Sequence, residues 1–248
     1  SGAENINRKN YCDGMRDAIP IALGYLAVAF TLGIAARNAG VYALPATIMS
    51  LTNTTSAGEF AAITAIAGGV GYAELALMQL VINLRYMLMS CALTQKLDPK
   101  FSIIHRFFIG FGVTDEIFGI SVARKGKLNP CYMYGAMSIA IPAWTIGTCL
   151  GVVLGNVLPG GVVSALSVAL YGMFLAIIIP PARDNKVIRG LVIIAMAASF
   201  LFTKIPVIKN ISSGMKVIIL TVVISGVAAV LFPLPDEEKE EEEANHEA

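Results

Sequence analysis

The chain has 248 residues, 56% of them hydrophobic and only 14% charged, with a mean hydropathy of +0.71. Soluble domains average about 25% charged residues, so polar surface is too scarce here for a soluble enzyme, a disordered regulator or a collagen-like chain. A formal net charge of +1 creates no global field for nucleic acid, and two His and four Cys leave little metal chemistry.

The composition points to an integral membrane protein, with room for roughly six to eight spans of about 20 apolar residues each. The first 17 residues are polar and read as an N-terminal segment without a signal peptide. Eight apolar segments follow. Ala18–Ala36 is uncharged and reads as a span. Ala43–Ala73 is interrupted by Thr52-Asn53-Thr54-Thr55-Ser56-Ala57-Gly58-Glu59. Leu75–Leu93 is apolar except for Gln79, Asn83 and Arg85. Phe101–Ala123 is interrupted by Gly110, Gly112 and Thr114-Asp115-Glu116. Cys131–Leu158 and Gly160–Ala182 are uncharged, and Val187–Ile205 and Val217–Pro235 complete the set. The run Asp236–Glu243 opens an acidic, solvated tail over 236–248. Helices apolar all round belong in lipid or a large core, and nothing alternates as barrel strands do. The fold class is therefore an all-α integral membrane protein. It is a polytopic helical bundle in a single transmembrane domain, residues 18–235.

The distribution of Lys and Arg favours one topology. If all eight segments cross, ten basic residues lie inside and seven outside, with Arg85 in neither group. If the two interrupted segments are broken or re-entrant, Lys96, Lys100 and Arg106 move inside and the split becomes 13 to 4. This layout has six full spans, two broken elements and both termini in the cytoplasm. Non-helical backbone at membrane depth survives only where protein or water satisfies it, and transporters build midplane sites from such breaks. Two surface loops between short helices are the alternative.

Arg85 has apolar-dominated residues on both sides. A guanidinium at that depth must be paired or face a wet cavity; Glu59, Asp115 and Glu116 are the candidate partners. A static bridge and direct substrate contact both satisfy that demand. Gly147-x-x-x-Gly151-x-x-x-Gly155 aligns three glycines on one helix stripe, suited to internal packing or to a subunit interface. Trp144, the single Trp, is read as a packing or anchoring residue. Cys12, Cys91, Cys131 and Cys149 form no CxxC pair and read as reduced thiols. Walker, GxSxG and HExxH motifs are absent from the sequence. No enzyme activity, metal or cofactor is expected.

Four stretches taken in order resemble the AzlC family of branched-chain amino acid permeases, the family of the larger subunit of an L-valine exporter. They are Gly14–Ile21 with Gly24–Gly33, Thr54–Phe60, Asn83–Tyr86 and Phe111–Phe118, within a likeness spanning about residues 11–234. The resemblance implies a bacterial inner-membrane, multi-pass exporter of branched-chain or similar apolar amino acids. It also implies a small multi-spanning AzlD-like partner. A channel-like or non-transporting assembly subunit is the second reading. The residues singled out for substrate or coupling ion are Ser56, Gly58, Glu59, Phe60, Asn83, Arg85, Tyr86, Thr114, Asp115 and Glu116. Arg85 or a half-helix N-terminus suits a carboxylate, the acidic side chains suit an ammonium, and Phe60 and Phe118 suit an aliphatic chain. Two residues depart from the family pattern: Glu59 stands where members carry Gln, and Tyr86 where they carry His. Glu59 is therefore expected to make transport pH-dependent.

Overall fold

A computed structural model describes residues 2–162, 164–165, 168, 175, 178–179, 182–205, 211 and 213–233. The acidic tail and most of Gly160–Ala182 lie outside the described residues. The chain divides into two compact units, Ser1–Phe174 and Leu175–Ala248. Ten helices can be delimited among the described residues. The first unit holds α1 (Gly2–Asp17), α2 (Ile19–Asn38), α3 (Ala43–Thr52), α4 (Ser56–Ala67), α5 (Tyr72–Lys96), α6 (Ile103–Phe111), α7 (Asp115–Val122) and α8 (Pro130–Leu154). In the second unit α9 (Lys186–Lys204) packs on α10 (Ser213–Leu231). Among the described residues four helices, α2, α5, α8 and α9, are long and apolar enough to cross a membrane.

Small residues determine how the first unit packs. A Cβ added to Gly33 would lie 2.2 Å from the Thr148 carbonyl oxygen, and one added to Gly151 would lie 2.1 Å from that of Phe30. The backbones of α2 and α8 therefore touch, as small-residue stripes allow. Gly14 and Gly135 make the same approach between α1 and α8, at 1.9 Å from Tyr132 O and 2.0 Å from Tyr11 O. Pairing advances in step along both chains, from Gly14 beside Tyr132, through Leu26 beside Gly147, to Arg37, whose Nη1 donates to Val152 O at 2.6 Å. Thus α2 and α8 run parallel and start at the same end. The glycine stripe is filled by α2, which removes it as a subunit interface.

The polar residues Gly2–Asp17 form a helix docked on that end. Arg124 pairs with Asp13 at 3.2 Å, Tyr132 donates to Asp17 at 2.7 Å and Asn129 donates to Asn7 at 2.8 Å. Helix α5 finishes here too. Lys96 Nζ donates to Val122 O at the end of α7 and to Arg124 O just beyond it, compensating carbonyls that α7 cannot bond internally. A single bridge joins Leu97 to Leu128 just before α8.

These contacts fix the course of both interrupted segments. Helix α3 starts where Arg37, Ala43, Val152 and Val153 surround one cavity, at the far end of α8. It descends until Ser50 meets Thr148 at 2.6 Å. Helix α4 then climbs antiparallel to α5, with Gln79 Nε2 donating to Gly58 O at 2.8 Å. Helix α6 enters from the α1 end, where His105 Nδ1 and Tyr134 Oη are 2.6 Å apart, and α7 returns to Lys96. Each pair is a hairpin that re-emerges on its side of entry. Their arms have 10, 12, 9 and 8 residues, or about 12–18 Å at 1.5 Å per residue. The tips therefore reach about half of a ~30 Å hydrocarbon layer, one from each side.

Candidate functional site

The two tips, Asn53–Thr55 and Gly112–Thr114, are capped alike. Thr55 Oγ1 accepts from Gly58 N at 3.3 Å and Thr114 Oγ1 from Ile117 N at 3.2 Å, so each threonine replaces a helical acceptor at its N-terminus. The tips face one another. Thr54 and Ser56 of one hairpin, Thr114, Asp115 and Glu116 of the other, and Tyr25, Tyr86 and Trp144 line one polar cleft of about 10 Å³, room for a single water. It adjoins a cavity of about 190 Å³ lined by Asn53, Thr54, Thr55, Asn83, Tyr86, Gly110 and Val113 among others. A third cavity of about 310 Å³ shares Tyr25 and Glu116 with the cleft and is otherwise apolar: Pro20, Ile21, Gly24 and Val28.

Arg85 lies about 16 Å from the Lys96 end of α5 and about 20 Å from its Tyr72 end, so it sits near mid-depth. Its Nη1 meets Asp115 Oδ2 at 3.0 Å and its Nη2 donates to Tyr86 Oη at 3.2 Å. Pairing with an expected carboxylate is therefore observed, but full burial is not: the side chains of Arg85 and Asp115 are 38% and 30% exposed. The ion pair lies beside the cleft, where half-exposure leaves the guanidinium usable by a ligand.

Glu116 is held differently. Tyr25 Oη is 2.6 Å from both Glu116 Oε2 and Thr114 Oγ1. A phenol has one proton; with Glu116 ionised it goes to the carboxylate, and Tyr25 accepts from Thr114. Asn83 Nδ2 donates to Gln79 Oε1 at 3.2 Å, leaving Asn83 Oδ1 buried without a partner beside the cavity of about 190 Å³. Gly58 is a close-approach residue; a Cβ there would lie 2.8 Å from Gln79 Oε1.

Two of the expected residues are elsewhere. Phe60 packs against the hydrophobic core and lines none of these cavities, as does Phe118; the apolar lining comes from α2 instead. Glu59 is fully buried and makes no ion pair with Arg85. Its Oε1 meets Ser50 Oγ, and its Oε2 accepts from Trp144 Nε1 at 2.7 Å. Trp144 in turn stacks edge-on against Tyr25, 5.4 Å between ring centroids. Tyr25, Trp144, Ser50 and Thr148 were missing from the sequence-based set. For two of them the sequence held a signal, the single Trp and a Tyr inside uncharged spans; Ser50 and Thr148 carried none.

The geometry defines a class: an all-α, multi-pass membrane protein with two re-entrant hairpins meeting at mid-depth around charged side chains. The AzlC protein family matches residues 20–158, and the chain belongs to that family. It is 32% identical over 176 residues to an uncharacterised membrane protein of Archaeoglobus fulgidus, covering 70% of this chain and 77% of that one. The inner membrane protein YgaZ of Escherichia coli is 25% identical over 206 residues, 79% of this chain and 84% of its own. An uncharacterised membrane protein of Helicobacter pylori is 25% identical over 152 residues, 60% and 65% of the two chains. No solved structure matches.

Proposed function

We propose that this chain is the translocating subunit of a secondary transporter that exports branched-chain or similar apolar amino acids across a bacterial inner membrane, together with a small AzlD-like partner. One observation carries the reading: a polar cleft between two hairpin tips at mid-depth shares Tyr25 and Glu116 with an apolar cavity. An amino acid has the same division, a zwitterionic head and an aliphatic side chain. The ammonium is matched by Glu116 and the open acceptor Asn83 Oδ1, and the carboxylate by Arg85 and the partly positive N-terminus of α4. Pro20, Ile21, Gly24 and Val28 receive the side chain.

Sidedness follows from charge. The α1 end carries Arg8, Lys9, Arg16, Lys96, Arg124, Lys125 and Lys127, whereas the opposite end of the first unit carries Arg37. The rule that basic loops stay inside makes the α1 end cytoplasmic. The test is counterflow of labelled leucine, isoleucine and valine in vesicles, with and without the small partner. Saturable counterflow requiring both chains supports the proposal. Non-saturable flux would favour a channel, and full saturable transport by this chain alone would remove the partner from it.

A further inference from the structure

The geometry points to a second, internal site on this chain: Glu59 is a proton-binding residue whose neutral form latches the α3–α4 hairpin onto α8. The number of protons available decides how the groups around Glu59 bond. Glu59 Oε1 lies on Ser50 Oγ, Ser50 Oγ is 2.6 Å from Thr148 Oγ1, and Thr148 Oγ1 is 3.3 Å from the Trp144 carbonyl. Trp144 Nε1 reaches back to Glu59 Oε2 at 2.7 Å. With one proton on Glu59 the ring closes. The carboxylic O–H donates to Ser50, Ser50 to Thr148, Thr148 to the Trp144 carbonyl, and the indole N–H to the free carboxyl oxygen. Every donor has one acceptor.

Removing the proton leaves the same four groups around a charge. Glu59, Ser50 and Thr148 are all 0% exposed and Trp144 is 3% exposed. Among the described residues, no Lys or Arg forms an ion pair with Glu59. Helix α3 contributes Ser50, α8 contributes Trp144 and Thr148, and α2 contributes the phenol of Tyr25. Arg85 and Tyr86 of α5 face the cleft, where Arg85 is taken by Asp115, and Asp115 and Glu116 of α7 add negative charge on the far side of Tyr25. A buried charge with only neutral donors is unfavourable. Loss of the proton to water in the cleft therefore favours separation of α4 from α8.

The latch reaches the ligand cleft. Trp144 lines it, and its ring supports Tyr25, which holds Glu116 and Thr114. Calling this proton the coupling ion rests on the transporter reading; its titration does not, and is measured without transport.

Trp144 is the single Trp of the chain and hydrogen-bonds to the titrating carboxyl, so intrinsic fluorescence reports the latch directly. In purified full-length protein, raising the pH should red-shift Trp144 emission and increase acrylamide quenching along a one-proton curve. Glu59→Gln, which keeps the shape, should abolish that curve, while Asp115→Asn should retain it. A parent protein with no titration, or a Glu59→Gln protein titrating like the parent, overturns the assignment. If Glu59→Gln fails to fold, Ser50→Ala decides: a moved midpoint supports the ring, and an unmoved one overturns it. A titrating latch with no amino acid counterflow would leave the proton site standing and remove the transporter reading.

Discussion

The contact between α2 and α8 sets the depth at which Tyr25 and Trp144 meet, and Gly151→Ala tests it with one methyl group. The new Cβ would lie 2.1 Å from Phe30 O, 2.9 Å from Gly33 Cα and 2.9 Å from Phe30 C. All three are main-chain atoms of one helix, so no rotamer change relieves the clash. Helix α2 must retreat by roughly 1 Å or more, which opens the packed seam along Gly33 and Gly147. Overpacking of this kind costs about 1–3 kcal/mol, and a backbone obstacle places Gly151→Ala at the upper end. Gly190→Ala is the matched control: it is also helical, its Cβ meets nothing within 4 Å, and Ala is the better helix former by up to about 1 kcal/mol. Thermal unfolding of purified protein, followed by monodispersity on size exclusion, reads both. A Gly151→Ala protein as stable as the parent would refute the close-packed seam and reopen the stripe as a surface for another subunit.

Arg85→Leu strands Asp115 at mid-depth. Breaking a fully buried pair costs about 3–5 kcal/mol, but with Arg85 38% and Asp115 30% exposed the expected loss is nearer ~1 kcal/mol, with transport abolished; normal transport would contradict the assignment. Gly24→Val fills the apolar cavity, where a Cβ on Gly24 has open space. It should weaken leucine and isoleucine counterflow more than alanine counterflow, and equal losses would argue against that cavity as the side-chain pocket. In the loop after α5, hydrogen bonds from the Lys100 side chain and N–H hold the Asp98 carboxyl below its ordinary range. A depressed folded value means that this small stabilisation is present at neutral pH and fades as the pH falls through it. Lys100→Ala should move the Asp98 titration upward by carboxyl NMR; an unmoved titration would contradict the pairing.

Much of this architecture was legible because a bilayer imposes a simple code. Polar residues inside apolar runs marked both tips, Thr52–Glu59 and Gly110–Glu116, and the charge split favoured hairpins over crossings. That Arg85 pairs with one of Glu59, Asp115 and Glu116 followed from the need to compensate a guanidinium at depth; which of the three it meets, Asp115, is set by the second hairpin. Glu59 was legible as ionisable but not as separate from Arg85. Its position four residues after the Thr55 cap turns it toward α8 rather than the cleft, and that rotation depends on how α3 descends beside α8. The apolar cavity was missed for a similar reason. Gly24 and Val28 look like any span residues, and Phe60 looks like a better lining; only the close packing of α2 on α8 decides which face of α2 stays open. The polar start of the chain gave no hint of docking, because Asp13, Asp17 and Asn7 find their partners more than 100 residues away.

The central claim is that the tips of two opposed hairpins together form one ligand site, and cysteine protection tests it most directly. Cys12, Cys91, Cys131 and Cys149 are changed to Ala, and Asn53→Cys or Val113→Cys is introduced singly, one on each tip and both lining the cavity of about 190 Å³. A small thiol reagent is applied to membranes with the partner subunit present, over a leucine titration. Leucine should protect both positions with the same half-saturating concentration, and Arg85→Leu should remove protection at both. Labelling at either tip that leucine leaves unchanged would contradict a shared site.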